Sequence, residues 1–204
     1  VGVPSKMPVG EPGGPDSEIF YDFGEHHKLH ENSPFKDLPC HVNCDCGRFM
    51  DIGHSVFMQY VKQDDGTLQE LEHKNIDFGG GLERMLAAVY DNSDVFLTDL
   101  FWPIVQKIEQ LSHQRYHGES QKAYRVIADH LKAAVMLASD GVIPSNKAQG
   151  YMMRRIIRRA IGAARTLGLT ENFTQDIIPI IQTIYKGQYP QVTDPALLGV
   201  IEEE

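Results

Sequence analysis

The sequence predicts an α+β fold in which an antiparallel sheet is followed by a helical bundle-like domain. Two apolar and β-branched runs, at residues 49–61 and 67–71, are separated by Asp64-Asp65-Gly66, and Asp-Gly in that position indicates a hairpin. From residue 100 onward the apolar residues recur at helical spacing instead. The change of period lies near residues 90–98, so we expect two segments, residues 1–92 and 93–204.

In the first segment, short extended runs alternate with irregular stretches. Residues 1–16 are rich in glycine and proline, which predicts an irregular loop. Strands are predicted over Ser17–Phe23, Phe49–Val61, Thr67–Leu71 and Lys74–Phe78, with residues 24–47 irregular. Three glycines follow the last strand, and a helix is predicted from Leu82 to Tyr90.

The sequence pattern of the second segment predicts five helices, each with apolar residues on one face. Thr98 or Asp99 is expected to cap the first, which continues to Leu111. The others are predicted over residues 121–140, from a Ser145 cap to Leu167, from Thr170 to Ile184 or Tyr185, and from Asp194-Pro195 onward. Gly141 and Gly168 are the expected stop signals of the second and third helices.

The composition is that of a globular chain. Of 204 residues, 42% are hydrophobic and 23% are charged, which excludes a disordered acidic polymer. No run of 18 apolar residues occurs, so no membrane-spanning helix is predicted. Three cysteines do not form a secreted disulfide framework and no apolar signal region is present, so we expect a cytoplasmic location.

The net charge of −9 is unevenly distributed. Between residues 122 and 168, nine Lys and Arg residues stand against two Asp residues, a local charge of +7. The rest of the chain has ten basic and 26 acidic residues, a charge of −16. The basic segment is either a solvated helix face or a surface that binds a polyanion.

The most informative stretch is Asn75–Arg84. A predicted strand brings Asp77 to three glycines, where a ligand can approach the backbone closely. The next helix offers free N–H groups at its start, and Arg84 in its first turn can pair with a phosphate. These groups suit an amino-acid and nucleotide site. The alternative is a glycine-rich turn with Arg84 on the surface.

Asp77-Phe78-Gly79-Gly80-Gly81-Leu82-Glu83-Arg84 resembles motif 3 of the class II aminoacyl-tRNA synthetases. Further segments resemble the alanyl-tRNA synthetase family in the order that is typical of it, and together they cover nearly the whole chain. They are Gly13–Ile19, Val56–Tyr60, Arg125–His130, Asp140–Asn146 and Gly150–Ala160.

The resemblance implies ATP-dependent formation of alanyl-adenylate, assisted by Mg²⁺, and transfer of alanine to the 3′ end of tRNA-Ala. It assigns Asp77 to the α-ammonium group, Gly79 and Gly81 to the amino-acid pocket, and Glu18 and Arg84 to ATP. His54 stands where the family commonly has an Asn that helps to hold alanine. A larger and titratable ring therefore joins the predicted amino-acid site.

Motifs 1 and 2 of the class II core, which normally lie upstream, do not occur in this sequence. We therefore expect a fragment or split subunit with little or no aminoacylation activity alone, which a separate N-terminal catalytic half would complete. One alternative is a non-catalytic paralogue that binds tRNA or another partner. Another is an ATP-binding module that aminoacylates something other than tRNA.

Arg154, Arg155, Arg158 and Arg159 lie on neighbouring stripes of one predicted helix, at positions i, i+1, i+4 and i+5. Such a cluster suits a phosphate backbone, and the resemblance implies contact with the tRNA acceptor stem. Asn146, at the helix entrance, is expected to present its amide to base edges. The alternative for Asn146 is a turn residue.

Cys40, His41, Cys44 and Cys46 fall within seven residues and could surround Zn²⁺, although their spacing is not that of a zinc finger. The alternative is a set of free cysteines. His26, His27 and His30 are interpreted as solvated loop residues and not as ligands.

Overall fold

The computed structural model of the chain describes residues 7–169 and 172–203. The chain divides into two compact units, Val1–Val95 and Phe96–Glu204. Sheet and helices together confirm the predicted α+β class. No helix in the described part of the chain is both long and apolar enough to cross a membrane. The predicted helix start at Thr170 and the first six residues of the predicted loop lie outside the described residues.

The first unit is built on an antiparallel sheet of β1 (Pro12–Gly13), β2 (Asp16–Asp22), β3 (Phe49–Lys62) and β4 (Leu68–Gly80). Strand β3 lies in the middle, with β1 and β2 along one edge and β4 along the other. The predicted hairpin between β3 and β4 is confirmed, since the amide of Gln63 donates to the carbonyl of Thr67 at 2.9 Å.

Strand β4 is continuous over the region where two separate strands are predicted, so that prediction is wrong. Tyr60 pairs with Glu70 and Met58 pairs with Asn75, so residues 71–74 of β4 lie opposite the single residue Gln59. The additional residues form an irregular bulge, which keeps the strand in the sheet where its sequence pattern is interrupted.

Helix α1 (Leu82–Val89) begins directly after β4, as predicted, and Gly81 is its N-cap residue. The amide of Gly81 donates to the carbonyl of Ile52 in β3 at 3.2 Å. This bond attaches the start of the helix to the middle of the sheet. Residues in the first turn of α1 are therefore close to β3.

The second unit contains α2 (Trp102–Ser112), α3 (Gln121–Ser139), α4 (Ala148–Thr166), α5 (Phe173–Tyr185) and α6 (Ala196–Glu202). Helix α3 contacts the other four, and a stripe of its side chains at helical spacing is buried. That stripe consists of Tyr124, Ile127, Ala128, Leu131, Ala134, Val135 and Ala138. Burial of one of the larger apolar side chains stabilises the folded state by about 1.5–3 kcal/mol. This burial is the main force that holds the helices together.

Two helices begin later than predicted, because the expected caps form local turns instead. Helix α2 starts at Trp102, and Thr98 contributes its carbonyl, which accepts from the amide of Trp102 at 2.7 Å. Helix α4 starts at Ala148, and the hydroxyl of Ser145 donates to the carbonyl of Lys147 at 3.1 Å. Short polar side chains compete for the nearby backbone in this way.

Candidate functional site

One face of the sheet in the first unit gathers residues predicted to bind the amino acid and ATP. The strand register pairs Glu18 with His54 and His54 with Gly79, so these three residues form one row across β2, β3 and β4. Asp77 precedes Gly79 by two residues on β4. It therefore lies on the same face, because side chains alternate along a strand.

A β-bulge adds a further carboxylate, that of Asp51, to this face. Strand β2 has no residue opposite Ile52, so the alternation of side chains shifts by one position there. Asp51 and His54 are three residues apart and would point to opposite faces of a regular strand. Because of the bulge they meet, and Oδ2 of Asp51 lies 2.6 Å from Nε2 of His54. The other ring nitrogen, Nδ1, lies 3.8 Å from Oε1 of Glu18.

Arg84, in the first turn of α1, reaches the same carboxylate. Its Nη1 donates to the carbonyl oxygen of Asp51 at 2.9 Å and lies 3.4 Å from Oδ2. The side chain of Arg84 is 54% exposed, and its other guanidinium nitrogens make no hydrogen bond to any described residue. Glu18, His54, Asp51 and Arg84 therefore form a chain of contacts that ends in available donors.

Asp77 is exposed, and its carboxylate has no hydrogen-bond or ion-pair partner among the described residues. A Cβ atom added to Gly79 would meet no atom within 4 Å, so the space above this position is open. A Cβ atom added to Gly81 would lie 3.2 Å from Cδ of Arg84, so a side chain there would shift the arginine slightly. This face can pair an ammonium group with Asp77 and a phosphate with Arg84.

A second candidate site lies in the second unit, along α4. A cavity of about 380 Å³ is lined by Asn146, Tyr151, Arg154, Arg155, Arg158 and Arg159, and we call it the arginine cleft. The structure thus brings together the five residues that the sequence assigns to tRNA. None of the lining residues is acidic, so the arginine cleft is suited to a polyanion.

The turn before α4 positions Asn146 in the arginine cleft. The amide oxygen of Asn146 accepts a hydrogen bond from Nη1 of Arg154, so its NH₂ group remains to donate to a ligand. Gly150, in the first turn of the helix, is buried. A Cβ atom there would lie 2.5 Å from the carbonyl oxygen of Ile143, so only glycine lets this turn pack so closely on the helix.

The family model described as "tRNA synthetases class II (A)" matches residues 5–204. The chain belongs to this family. It is 40% identical to the alanine–tRNA ligase of Borreliella afzelii (strain PKo) over 194 residues, which are 92% of this chain and 31% of that protein. It is 42% identical to the alanine–tRNA ligase of Pediococcus pentosaceus over 187 residues, 90% of this chain and 21% of that protein. It is 39% identical to the alanine–tRNA ligase of Borrelia hermsii over 97% of its length and 34% of that protein. The chain thus spans between about a fifth and a third of these curated relatives.

Two residues of this class II synthetase chain lie in the candidate sites but are not predicted from the sequence. Asp51 joins Glu18, His54 and Asp77 on one face of the sheet, which we call the substrate face after the ligands predicted for it, only through the bulge, which no local sequence signal marks. Tyr151 lines the arginine cleft and is half exposed, so it offers an aromatic surface on which a base can stack. An aromatic residue three positions before the arginine pair is the signal that could have indicated it.

The loop between β2 and β3 (residues 23–48, the β2–β3 loop) holds the three cysteines of the synthetase chain. Nδ1 of His30 lies 3.6 Å from Sγ of Cys44, and Sγ of Cys40 lies 3.9 Å from Sγ of Cys46. The four ligand atoms all lie within 4.8 Å of one another. These four residues are called the Cys/His cluster.

The structure corrects the predicted ligand set in one position, because His30 and not His41 joins the cysteines. His41 is exposed, and its Nδ1 accepts a hydrogen bond from the amide of Asn43 at 3.2 Å within its own turn. The interpretation of His30 as a solvated residue is wrong, since the residue is only 8% exposed. His26 and His27 are exposed, as expected, and lie beside Asp91.

An ion pair closes the base of the β2–β3 loop. Nε and Nη2 of Arg48 donate to the two carboxylate oxygens of Asp22 at 2.8 and 2.9 Å. The hydrogen-bonded guanidinium lowers the pKa of Asp22 to about 2. The amide of Phe23 also donates to the carbonyl of Arg48 at 3.0 Å, so side chains and backbone join the two ends of the loop.

Proposed function

We propose that the chain contributes to the alanine–tRNA ligase reaction in the cytoplasm, in which ATP and alanine form alanyl-adenylate and alanine is then transferred to tRNA-Ala. The observation that carries this proposal is the sheet face on which Asp77, Gly79 and His54 lie together beside the Asp51–Arg84 pair. This face offers an anion for an ammonium group, a guanidinium for a phosphate and an open glycine position. Membership of the class II family and the similarity to alanine–tRNA ligases support the proposal.

In the first step, a carboxylate oxygen of alanine attacks the α-phosphorus of ATP, a new O–P bond forms and pyrophosphate leaves. Asp77 holds the ammonium group, which fixes the direction of the alanine carboxylate. Arg84 donates from Nε and Nη2 to the phosphate and stabilises the charge that develops there. Asp51 keeps Nη1 engaged, so the guanidinium is oriented before the substrates bind.

Class II synthetases use Mg²⁺ with ATP, and the residues on this face fit such an ion. Glu18 and Asp51 would supply carboxylate oxygens, which are the ligands that Mg²⁺ prefers. When bound with ATP, the ion neutralises part of the phosphate charge. We assign Glu18 to the nucleotide for this reason.

We assign His54 to the wall of the amino-acid pocket. Its ring lies between Glu18 and Asp51, and the short contact with Asp51 anchors it in the row that leads to Gly79. A fixed histidine occupies more space in this row than the asparagine that is common in the family. A pocket narrowed in this way admits the methyl group of alanine and limits larger side chains.

In the second step, a terminal ribose hydroxyl of tRNA attacks the alanyl carbonyl and AMP leaves. We assign the arginine cleft to the acceptor stem, with at least two of its four arginines on phosphates. The free NH₂ of Asn146 is placed to donate to a base edge in the shallow minor groove.

The test is a chimera in which this chain replaces the matched segment of the Borreliella afzelii alanine–tRNA ligase. We expect alanine-dependent ATP–pyrophosphate exchange and alanylation of tRNA-Ala by the chimera. The chain alone is expected to show neither, and an upstream segment with motifs 1 and 2 supplied in trans is expected to restore both. A folded chimera that binds tRNA-Ala but gives no exchange would contradict the proposal and favour a non-catalytic paralogue.

A further inference from the structure

The Cys/His cluster has the dimensions of a tetrahedral metal site. In a Zn²⁺ site with Zn–S bonds of about 2.3 Å, two sulfur ligands are about 3.8 Å apart. Sγ of Cys40 and Sγ of Cys46 are separated by 3.9 Å. A nitrogen and a sulfur ligand are separated by about 3.5 Å, and Nδ1 of His30 lies 3.6 Å from Sγ of Cys44. Two of the six separations thus match those around a single ion, and all six are within 4.8 Å, so a contraction of about 1 Å or less brings the four atoms around one ion.

The hydrogen bond of His30 puts its ring in the form that binds metals. Nε2 of His30 lies 3.0 Å from the carbonyl oxygen of Leu38, which can only accept a hydrogen bond. The proton is therefore on Nε2, and Nδ1 carries the lone pair, which points to the cysteines. A backbone carbonyl that orients the second ring nitrogen is the usual outer contact of a histidine ligand.

From this geometry we propose that His30, Cys40, Cys44 and Cys46 bind one structural Zn²⁺ ion. Three thiols and one imidazole are soft and borderline donors, which favour Zn²⁺ over Mg²⁺ or Ca²⁺. Each thiol releases its proton to solvent on binding, and the histidine binds as the neutral ring. Four protein ligands leave no open position for water or substrate, so the ion holds the loop and takes no part in chemistry.

The β2–β3 loop lacks the apolar core that would otherwise hold it. Of residues 23–48, only Phe23 and His30 are buried. A loop of this length without its own packing is uncommon, and metal ligation is one way in which such a segment is fixed. The ion closes the middle of the loop, as the Asp22–Arg48 pair closes its base.

The first test is the zinc content of the full chain, purified without chelators. We expect one zinc ion per chain in the wild type and in His41→Ala, which is the matched control because His41 is exposed and outside the cluster. His30→Ala is expected to bind zinc about 100-fold more weakly in competition with a chromophoric chelator. Loss of zinc in His41→Ala with retention in His30→Ala would overturn the assignment.

The second test uses the wild type alone, because His30→Ala also removes a buried side chain from the loop. Zinc K-edge absorption is expected to show three sulfur neighbours at about 2.3 Å and one nitrogen at about 2.0 Å. A wild-type chain without zinc, a site filled by iron, or a Cys40–Cys46 disulfide in the purified chain would each overturn the proposal.

Discussion

Oδ2 of Asp51 lies 2.6 Å from Nε2 of His54, and this contact joins the proposed amino-acid side of the substrate face to its proposed nucleotide side. The same carboxylate receives Nη1 of Arg84. Asp51 therefore orients two side chains to which the proposed reaction assigns different substrates. Its removal is expected to affect the use of ATP through Arg84.

In the chimera, we expect Asp51→Ala to raise the KM for ATP about threefold, at a cost of about 0.5–1 kcal/mol. Arg84 loses its 3.4 Å contact with the carboxylate and keeps only the hydrogen bond to the backbone carbonyl of residue 51. Steady-state ATP–pyrophosphate exchange measures the change. Asp64→Ala, an exposed aspartate in the hairpin turn, is the control and is expected to match the parent chimera. An unchanged KM for ATP in Asp51→Ala would show that Arg84 does not need this support.

Asp77→Asn is expected to raise the KM for alanine about tenfold or more and to leave the KM for ATP nearly constant. A tenfold change corresponds to a loss of about 1.4 kcal/mol in binding free energy. The carboxylate pairs with the α-ammonium group, and a neutral amide lacks the opposite charge. Asp16→Asn provides the control, since Asp16 pairs with Val56 in the row that contains Asp77 but lies on the other edge of the sheet. Equal effects of both variants would contradict a specific role of Asp77.

Charge reversal in the arginine cleft is expected to weaken tRNA binding. Arg158→Glu with Arg159→Glu should lower the affinity of the chain for tRNA-Ala at least about tenfold. The slope of log affinity against log salt concentration should become shallower by about two, because about two fewer counterions are released on binding. Arg165→Glu with Lys186→Glu makes the same change in net charge outside the arginine cleft. Filter binding or fluorescence anisotropy at several salt concentrations compares the two. Similar losses in both double variants would indicate only a general charge effect.

Two glycines of α4 are expected to respond in opposite directions to alanine. Gly150→Ala forces its Cβ atom against the backbone of Ile143 and should destabilise the chain by about 1–3 kcal/mol. Gly162→Ala meets no atom within 4 Å and should stabilise the helix by about 0.5–1 kcal/mol. Urea unfolding of both variants measures the free energies. A neutral Gly150→Ala would mean that the turn before α4 moves freely.

Acid is expected to weaken the base of the β2–β3 loop. The pKa of Asp22 is about 2, below the ordinary value near 3.9, so the pair stabilises the folded state above about pH 4 and this contribution is lost as the pH falls towards 2. We expect Asp22→Asn to have a lower Tm than the wild type at pH 7, and the difference to vanish near pH 2. Because the aspartate is partly exposed, the difference is expected to be small. The metal-free chain is used, so that acid release of metal does not contribute. A difference that persists at pH 2 would contradict this account.

Much of the fold follows from local sequence signals. The Asp-Gly turn gives the hairpin, and the apolar period gives the buried stripe of α3. The errors come from interactions that compete with local preference. Ser145 bonds the backbone of Lys147 and does not cap the helix, and cross-strand pairing holds β4 together through an irregular stretch.

Most residues of the substrate face and of the arginine cleft are predicted as site residues from the sequence. The residues that it misses depend on geometry that local patterns do not encode. His30 is ten positions before Cys40, and only the path of the β2–β3 loop brings it to the cysteines. Asp51 depends on a single unpaired residue in β3. Such contacts, between positions that are far apart in the sequence or shifted by a bulge, become visible only in the folded structure.

The bulge at Ile52 makes the length of β3 as important as its residue types. Deletion of one residue between Asp51 and His54 would restore the regular alternation and turn the Asp51 carboxylate to the opposite face of the sheet. Substitutions at Ile52 leave that alternation unchanged. Homologous chains that keep this site are therefore expected to vary in residue type at this position, and to gain or lose residues in the β2–β3 loop instead.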